Sequence, residues 1–456
     1  MKVEEMVRVT AGELLSGRMN DIVEPSKIST DSRTIPEGGF FLAIKGTSFD
    51  GDLFAKDALK RGARGVMVSS WRGKLPGGKA IIIKVRDTIK AFHDIAGHHR
   101  AKFAIPVIAV TGSNGKTTVK EMIAKVLSAK YDVLKNEGTK NNHIGVPQTL
   151  LRLKSRHEVC VLEMGMNHKG EIRSLGKMAR PGVSVITNIG PSHLEFLGGL
   201  EDVFRAKTEV FESMTPGGKG VVNGDDRFLR ALKVRGVDMI RFGLGRKNDF
   251  RAGEISSDAG FIRFVLNGKK RFALRLAGLH NVYNALAAIS VGSILGVSYE
   301  NMKRALYLYR PPAMRLNIRR LPGGLTVMND AYNSNPLSME CALKVLRDSP
   351  ANGRWVVCGD MLELGARAGY FHEALGRRIA ELNFSGVFTF GRLSKRVAEA
   401  AMACGMTKEM CRHFKTHGEL SRALRRVVGV GDAILVKGSR GMRMEEVVKG
   451  LTAQSS

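Results

Sequence analysis

The sequence predicts an α/β fold in three units: a small α/β domain over residues 1–103, a central phosphate-loop ATPase-like domain with a mostly parallel sheet over 104–312, and a C-terminal Rossmann-like α/β domain over 313–456. Three observations carry this reading. At 456 residues the chain is too long for one ordinary domain. Short β-rich runs alternate with helix-length segments, the pattern of a mostly parallel sheet covered on both faces. After Pro311-Pro312 that alternation starts afresh.

In the first unit, short strands mix with loops around STDSRTIPEGGFFLAIKGTSFDGDLF (Ser29 to Phe54). HHRAKFAIP then reads as a linker, with Pro106 tolerable at the start of a strand. The central unit opens on the apolar run Val107 to Val110, which leads directly into AVTGSNGKTT (Ala109 to Thr118). Behind that turn, Val119, Met122, Ile123, Val126 and Leu127 recur at helical spacing and form one apolar stripe. Buried strands are expected at EVCVLEMG, VSVITNIG and KGVVNGDD, an exposed helix at Lys169 to Met178, and a strongly apolar helix at Asn281 to Leu295. In the third unit LTVMND, RWVVCGD, GVFTFG and AILVKG are four further strands. Asn335-Pro336 supplies a helix N-cap with proline at the first helical position, which holds the DAYNSN loop at the carboxyl end of a strand, where such sheets bind ligands.

Composition narrows the function. Hydrophobic residues at 43% with charges interspersed describe a folded globular protein, and only the terminal LTAQSS reads as disordered. No run reaches the roughly 20 apolar residues of a membrane span and the N-terminus lacks a signal peptide, so a cytoplasmic protein with no membrane span is expected. The five scattered cysteines, Cys160, Cys341, Cys358, Cys404 and Cys411, suggest reduced, mostly buried thiols. A formal charge of +29 fits an anionic substrate on a basic surface. With the cations spread along the chain and no aromatic-basic signature, no nucleic acid partner is expected.

Strand, glycine turn and helix together form a phosphate grip. Backbone N–H groups of Gly112, Ser113, Asn114 and Gly115 face the phosphates with the positive helix terminus behind them, Lys116 reaches the outer oxygens, and Thr117 and Thr118 follow, with Thr117 able to ligate magnesium. The full pattern asks for glycine where Val110 stands. Glu163 ends an apolar strand at the same sheet edge, where a carboxylate can hold magnesium. His193 in TNIGPSHLEFLG and Lys207 in RAKTEVFE have bland alternatives, an exposed loop histidine and a solvated helix lysine.

TGSNGKTT, VLEMG, TNIGPSHLE, AKTE, GLHNVYNALAA, Met314-Arg315 and DAYNSNP occur in the order in which the Mur ligase superfamily carries its motifs, so the whole chain resembles that family. Within it, STDSR and KGTSFDG resemble uridine-diphosphate-binding elements, and NNHIGVPQTLL, DAYNSNPLSM and GDMLELG resemble the member that adds D-alanyl-D-alanine to UDP-MurNAc-tripeptide. The resemblance implies an ATP-dependent amide-bond ligase of peptidoglycan precursor synthesis, acting as a monomer. It implies ATP held by the loop and by His280, Asn281, Asn284, Arg315 and Asp330, and two Mg2+ ions at Thr117, Glu163, His193 and a carbamylated Lys207. Lys116, Lys207, His193 and Arg315 would then be catalytic.

By the same resemblance, Ser29, Asp31, Ser32, Arg33, Lys45 and Gly46 face the uridine end of the substrate, and Asn141, Asn142, Asn333, Asn335 and Lys437 face the rest. For Lys437 and Arg440, a ligand contact and plain surface charge stay open. Two departures stand out: Asp52 where the family usually has histidine, and Thr139-Lys140 in a loop that usually reads GNxNN. Rival readings are another Mur-type ligase, such as the third-residue-adding enzyme, a folylpolyglutamate synthase, and a basic phosphate-loop ATPase acting on nucleic acid.

Overall fold

The computed structural model describes residues 1–46, 50–76, 80–258 and 260–452. Residues 47–49 of KGTSFDG and 453–456 of the C-terminal LTAQSS lie outside the described residues.

Three sheets follow one another along the chain. The first has five strands in the order Glu13–Ser16, Ile81–Lys84, Gly65–Val68, Phe40–Leu42, Ile28–Ser29, parallel except at the first pair. Its inner strands read FFL, GVMV and IIIK, apolar and buried up to the exposed Lys84, because both faces are covered. HHRAKFAIP departs from the linker reading: the helix Thr88–Ala101 runs through its first four residues. Arg100 there is buried and donates to the carbonyls of Ala179, Phe103 and Ile105, so apolar packing and a satisfied guanidinium extend the helix across the junction.

The second sheet has nine strands. Its core order is Lys219–Asn223, Val183–Ile186, Val107–Thr111, Val159–Glu163, Val133–Lys135, all parallel. The helix Lys116–Leu127 buries all five residues of its expected stripe. The helix His280–Ile294 is apolar on every side because it lies between that helix and the sheet. The helix Glu171–Ala179 is amphipathic, not exposed: Ile172, Leu175 and Met178 are buried. Beyond Asn223 the sheet continues through Asp238–Gly243 into an antiparallel meander, Phe250–Asp258, Phe261–Leu266 and Lys270–Leu274, whose basic residues mask its alternation in the sequence.

The third sheet, in the order Asn317–Arg320, Thr326–Asp330, Ala433–Lys437, Arg354–Gly359, Gly386–Phe390, Cys411–Phe414, contains the four expected strands and two more. The expected cap is present: Asn335 Oδ1 accepts from Ser338 N at 2.9 Å, and the helix Pro336–Arg347 follows. Cys160, Cys358 and Cys411 are buried, Cys341 is partly buried and Cys404 exposed, all as free thiols. Among the described residues no helix is long and apolar enough to cross a membrane.

Candidate active site

Parallel strands end on one side, and the loops that leave them there are the natural site. In this chain the loops of the second and third sheets face each other across a cavity of about 1130 Å³. Its wall includes Ser113 to Thr118, Glu163, His193, His280, Asn281, Asn284, Arg315, Asp330, Asn333, Asn335 and Lys437.

The glycine loop is tied down on both sides. Ser113 N donates to Asn188 O, Asn114 N to Asn188 Oδ1, and Asn188 Nδ2 and Thr187 Oγ1 both return to Asn114 O. Gly112 has φ +143°, and a Cβ there would overlap the Thr187 hydroxyl; at Gly115, φ +81°, a Cβ would stand 2.7 Å from Asn284 Oδ1. Both glycines are therefore required by close approach and by backbone conformation. Lys116 Nζ donates to the carbonyls of Gly112 (2.8 Å) and Ser113 (3.3 Å). Burial holds its pKa below the ordinary ammonium value, against the pull of Glu163 and with the push of Arg315.

Glu163 is 1% exposed. Asn136 brackets its backbone, Asn141 Nδ2 donates to Oε1 at 2.6 Å, and Oε2 is buried with no partner. An unsatisfied buried carboxylate oxygen at the mouth of a phosphate loop suits a hard cation. Asn136 is fixed in turn by the wholly buried Lys120, whose Nζ donates to the carbonyls of Asn136 and Gly138.

His193 has left-handed backbone, φ 54°, and shares Nδ1 with Glu363 Oε2 at 2.7 Å; burial lowers its pKa. Lys207 is not among the residues lining the cavity; it is 1% exposed, its side chain without a hydrogen bond or ion pair among the described residues. Burial, reinforced by Lys116, pushes its pKa well below the usual lysine range. Among the described residues no three His, Cys, Asp or Glu side chains gather around one point.

The third sheet supplies the opposite wall. Arg315 Nη2 donates to Thr117 Oγ1 at 3.3 Å, and its guanidinium lies 3.9 Å from the Tyr332 ring centre. Asn335 Nδ2 donates to Asn114 Oδ1 at 2.8 Å. Lys437, 2% exposed, donates to Asp330 Oδ2 (2.5 Å) and to Asn333 O (2.9 Å), so it holds the DAYNSN loop. Asp330 Oδ1 accepts from Leu316 N, between the left-handed residues Met314 (φ 60°) and Leu316 (φ 51°). Asn281 Nδ2 donates to Ala277 O and Asn284 Nδ2 to Asn281 Oδ1, and burial pulls His280 down to about 4.

Two groups of expected residues lie apart from this cavity. Asn142 Oδ1 caps the backbone at Ile144 and Gly145. Ser29 ends the strand Ile28–Ser29, and Asp31, Ser32, Arg33, Lys45 and Gly46 belong to the first sheet's loops. There Asp31 accepts a bidentate pair from Arg33 (2.9 and 2.8 Å), which holds its carboxyl at about 2, and Lys45 pairs with Asp50. Asp52, in the place of the usual histidine, accepts from Ser69 and Ser70. Sequence reasoning missed Glu363, Asn188, Lys120 and Tyr332. Asn188, Tyr332 and Glu363 lay within quoted motifs, and nothing local marked their side chains.

Three successive α/β units with a glycine-loop site shared between the second and third define the class of three-domain nucleotide-dependent ligases. The chain belongs to the Mur ligase family: residues 25–100 match the Mur ligase family catalytic domain, 110–292 the Mur ligase middle domain, and 314–440 the Mur ligase glutamate ligase domain. It is 36% identical to the UDP-N-acetylmuramoyl-tripeptide--D-alanyl-D-alanine ligase of Bacillus subtilis, over 93% of this chain and 92% of that one. The crystal structure of MurF from Acinetobacter baumannii superposes with a TM-score of 0.90 at 31% identity, covering 99% of both chains. MurF ligase of Thermotoga maritima, solved in complex with ADP, matches with a TM-score of 0.84 at 28% identity, over 95% of this chain and 99% of that one.

Proposed function

We propose that this protein joins D-alanyl-D-alanine to UDP-MurNAc-tripeptide with consumption of ATP, releasing ADP and phosphate. The observation that carries the reading is the convergence, on one cavity, of a tethered phosphate loop, an unsatisfied carboxylate oxygen on Glu163, and His193 and Arg315 from opposite walls. The relatives' names supply the substrates, and the ADP complex of the Thermotoga protein supports the nucleotide. A folylpolyglutamate synthase with bound ADP also matches, but at 17% identity, a likeness that carries the fold alone.

A carboxylate is a poor electrophile, so amide formation in water needs activation. The peptide carboxylate attacks the γ-phosphorus of ATP, giving an acyl phosphate and ADP. The dipeptide amine then attacks the acyl carbon, and the tetrahedral adduct expels phosphate as the amine loses its proton. The loop amides and Lys116 bind the phosphates, and Arg315 approaches from the facing wall to offset charge on the transferred group. His280, Asn281 and Asn284 line the adenine side. Thr117, Glu163, His193 and Lys207 would hold Mg2+, which supplies electrostatic shielding between an anionic nucleophile and an anionic phosphoryl group.

Lys207 suits carbamylation because burial without an acidic partner favours the neutral form of its amine, and the neutral amine is the form that adds to carbon dioxide, losing one proton to become an anionic carbamate. We place the uridine end of the substrate on Ser29 to Arg33, Lys45 and Gly46, the peptide near Asn141, Asn142, Asn333, Asn335 and Lys437, and the domain boundaries at 103/104 and 312/313. The strained backbone at Met314 and Leu316 is the hinge on which the third sheet closes. The test is phosphate release from ATP with UDP-MurNAc-tripeptide. Release that depends on D-alanyl-D-alanine is expected; release indifferent to the dipeptide would refute the assignment.

A further inference from the structure

Glu363 has no assigned role, yet its carboxylate crosses from the third sheet's loops to His193 in the second. It sits in the loop that follows the strand Arg354–Gly359, with left-handed backbone, φ 62°, unusual for a residue with a side chain. That loop is held rigidly to its own sheet. Asp360 accepts from Leu393 N and Ser394 N, Met361 N donates to His372 Nε2, and Leu362 N donates to Ser439 Oγ. From this platform Glu363 reaches the second sheet twice: its carbonyl accepts from Glu195 N at 3.2 Å, and Oε2 meets His193 Nδ1 at 2.7 Å. Gly365 brings the loop within reach, since with φ +58° a Cβ there would stand 3.1 Å from Glu195 Cα.

A carboxylate on Nδ1 has a chemical consequence. It holds the proton on that nitrogen, fixes the ring plane and leaves Nε2, with its lone pair, as the nitrogen open to a cation; carboxylate–histidine pairs of this kind are the usual support of a metal-bound imidazole. His193 lies on a left-handed residue in a loop, so little else in its own sheet sets its ring. The supporting carboxylate comes from 170 residues away, on the other side of the cleft.

We infer that Glu363 is a positioning residue: by clamping His193 Nδ1 it presents Nε2 to a divalent cation only when the third sheet is docked, so that docking and metal-site assembly are one event. This rests on the ligase reading given above for the role of His193. It makes activation of the phosphoryl group conditional on closure, which protects an acyl phosphate from forming in an open, wet cleft.

The test uses the full chain, Mn2+ as probe and a non-hydrolysable ATP analogue, with bound Mn2+ read from the loss of the free-ion electron paramagnetic resonance signal. Glu363→Gly removes the carboxylate at a position whose backbone favours glycine, so folding is retained; Glu363→Gln keeps an acceptor oxygen. We expect Mn2+ affinity to fall roughly 10- to 100-fold in E363G and to recover partly in E363Q. Small-angle scattering on the same samples should show less compaction in E363G. Equal Mn2+ affinity in all three proteins would overturn the inference. So would lost compaction with unchanged affinity, because the contact would then be a hinge contact alone. The binding readout does not require turnover, so failure of the ligase reading in the phosphate-release assay is separable from failure here.

Discussion

Replacing Lys207 by methionine should make the protein more stable and nearly inactive. Lys207 as a residue is 1% exposed and its side chain has no hydrogen bond or ion pair among the described residues, and taking a polar group out of water without a compensating hydrogen bond costs about 1–3 kcal/mol. Methionine fills a similar volume without that cost. In buffer stripped of carbon dioxide and nucleotide, the thermal transition of Lys207→Met should therefore rise, at roughly 2–4 °C per kcal/mol for a unit of this size. Turnover should fall on the order of 100-fold or more, as expected when a group that would hold Mg2+ beside the transferring phosphoryl is lost. Lys207→Ala leaves space that a short carboxylic acid can occupy, so millimolar formate or acetate should restore part of its phosphate release. Differential scanning fluorimetry and the phosphate assay read both effects. A Lys207→Met protein that is destabilised by more than about 1 kcal/mol, or that turns over at the wild-type rate, would show that this lysine is an ordinary structural residue.

Gly112→Ala should reduce ATP affinity at least tenfold and stability by about 1–3 kcal/mol, because its Cβ overlaps the Thr187 hydroxyl and its φ is +143°; isothermal titration calorimetry should show partial recovery in the Gly112→Ala/Thr187→Ala double variant, and no recovery would remove the clash as the cause. Glu163→Gln should raise the Mg2+ concentration needed for half-maximal phosphate release at least tenfold while leaving the fold intact, since Asn141 can still donate to the amide oxygen; an unchanged Mg2+ dependence would count against a metal role. His280 is held near 4 by burial, below the ordinary histidine value of about 6.5, so the unfolded chain binds the extra proton first and stability falls as pH drops from about 6.5 to 4. His280→Gln should flatten that part of the stability curve by up to about 3 kcal/mol, read by urea denaturation at pH 7 and pH 4.5; parallel losses in both proteins would contradict the assignment.

What could be read from the sequence was local. The strand–glycine–helix grip, the apolar stripe behind it and the Asn335 cap each depend on residues within a few positions of one another, and their spacing sets which face is buried and which amide is capped. Glu163 was legible as a carboxylate ending an apolar strand beside the loop, whereas His193 and Lys207 were legible only through their order along the chain. The meander after Asn223 escaped because its outward residues are basic and its alternation is broken by a bulge between Gly253 and Ser256.

By itself, then, the sequence determined the phosphate loop, the run of parallel strands and the family's motifs in order, because hydrophobic periodicity and turn chemistry act over short distances. Tertiary structure alone decided that Arg315 reaches Thr117 across 198 residues, that Asn335 meets Asn114 across 221, and that Glu363 clamps His193. It also decided that Lys207 is buried without a partner, where a helix pattern allowed a solvated face. Which loops of separate sheets come to face each other depends on how whole domains pack, and no spacing along one strand or helix carries that.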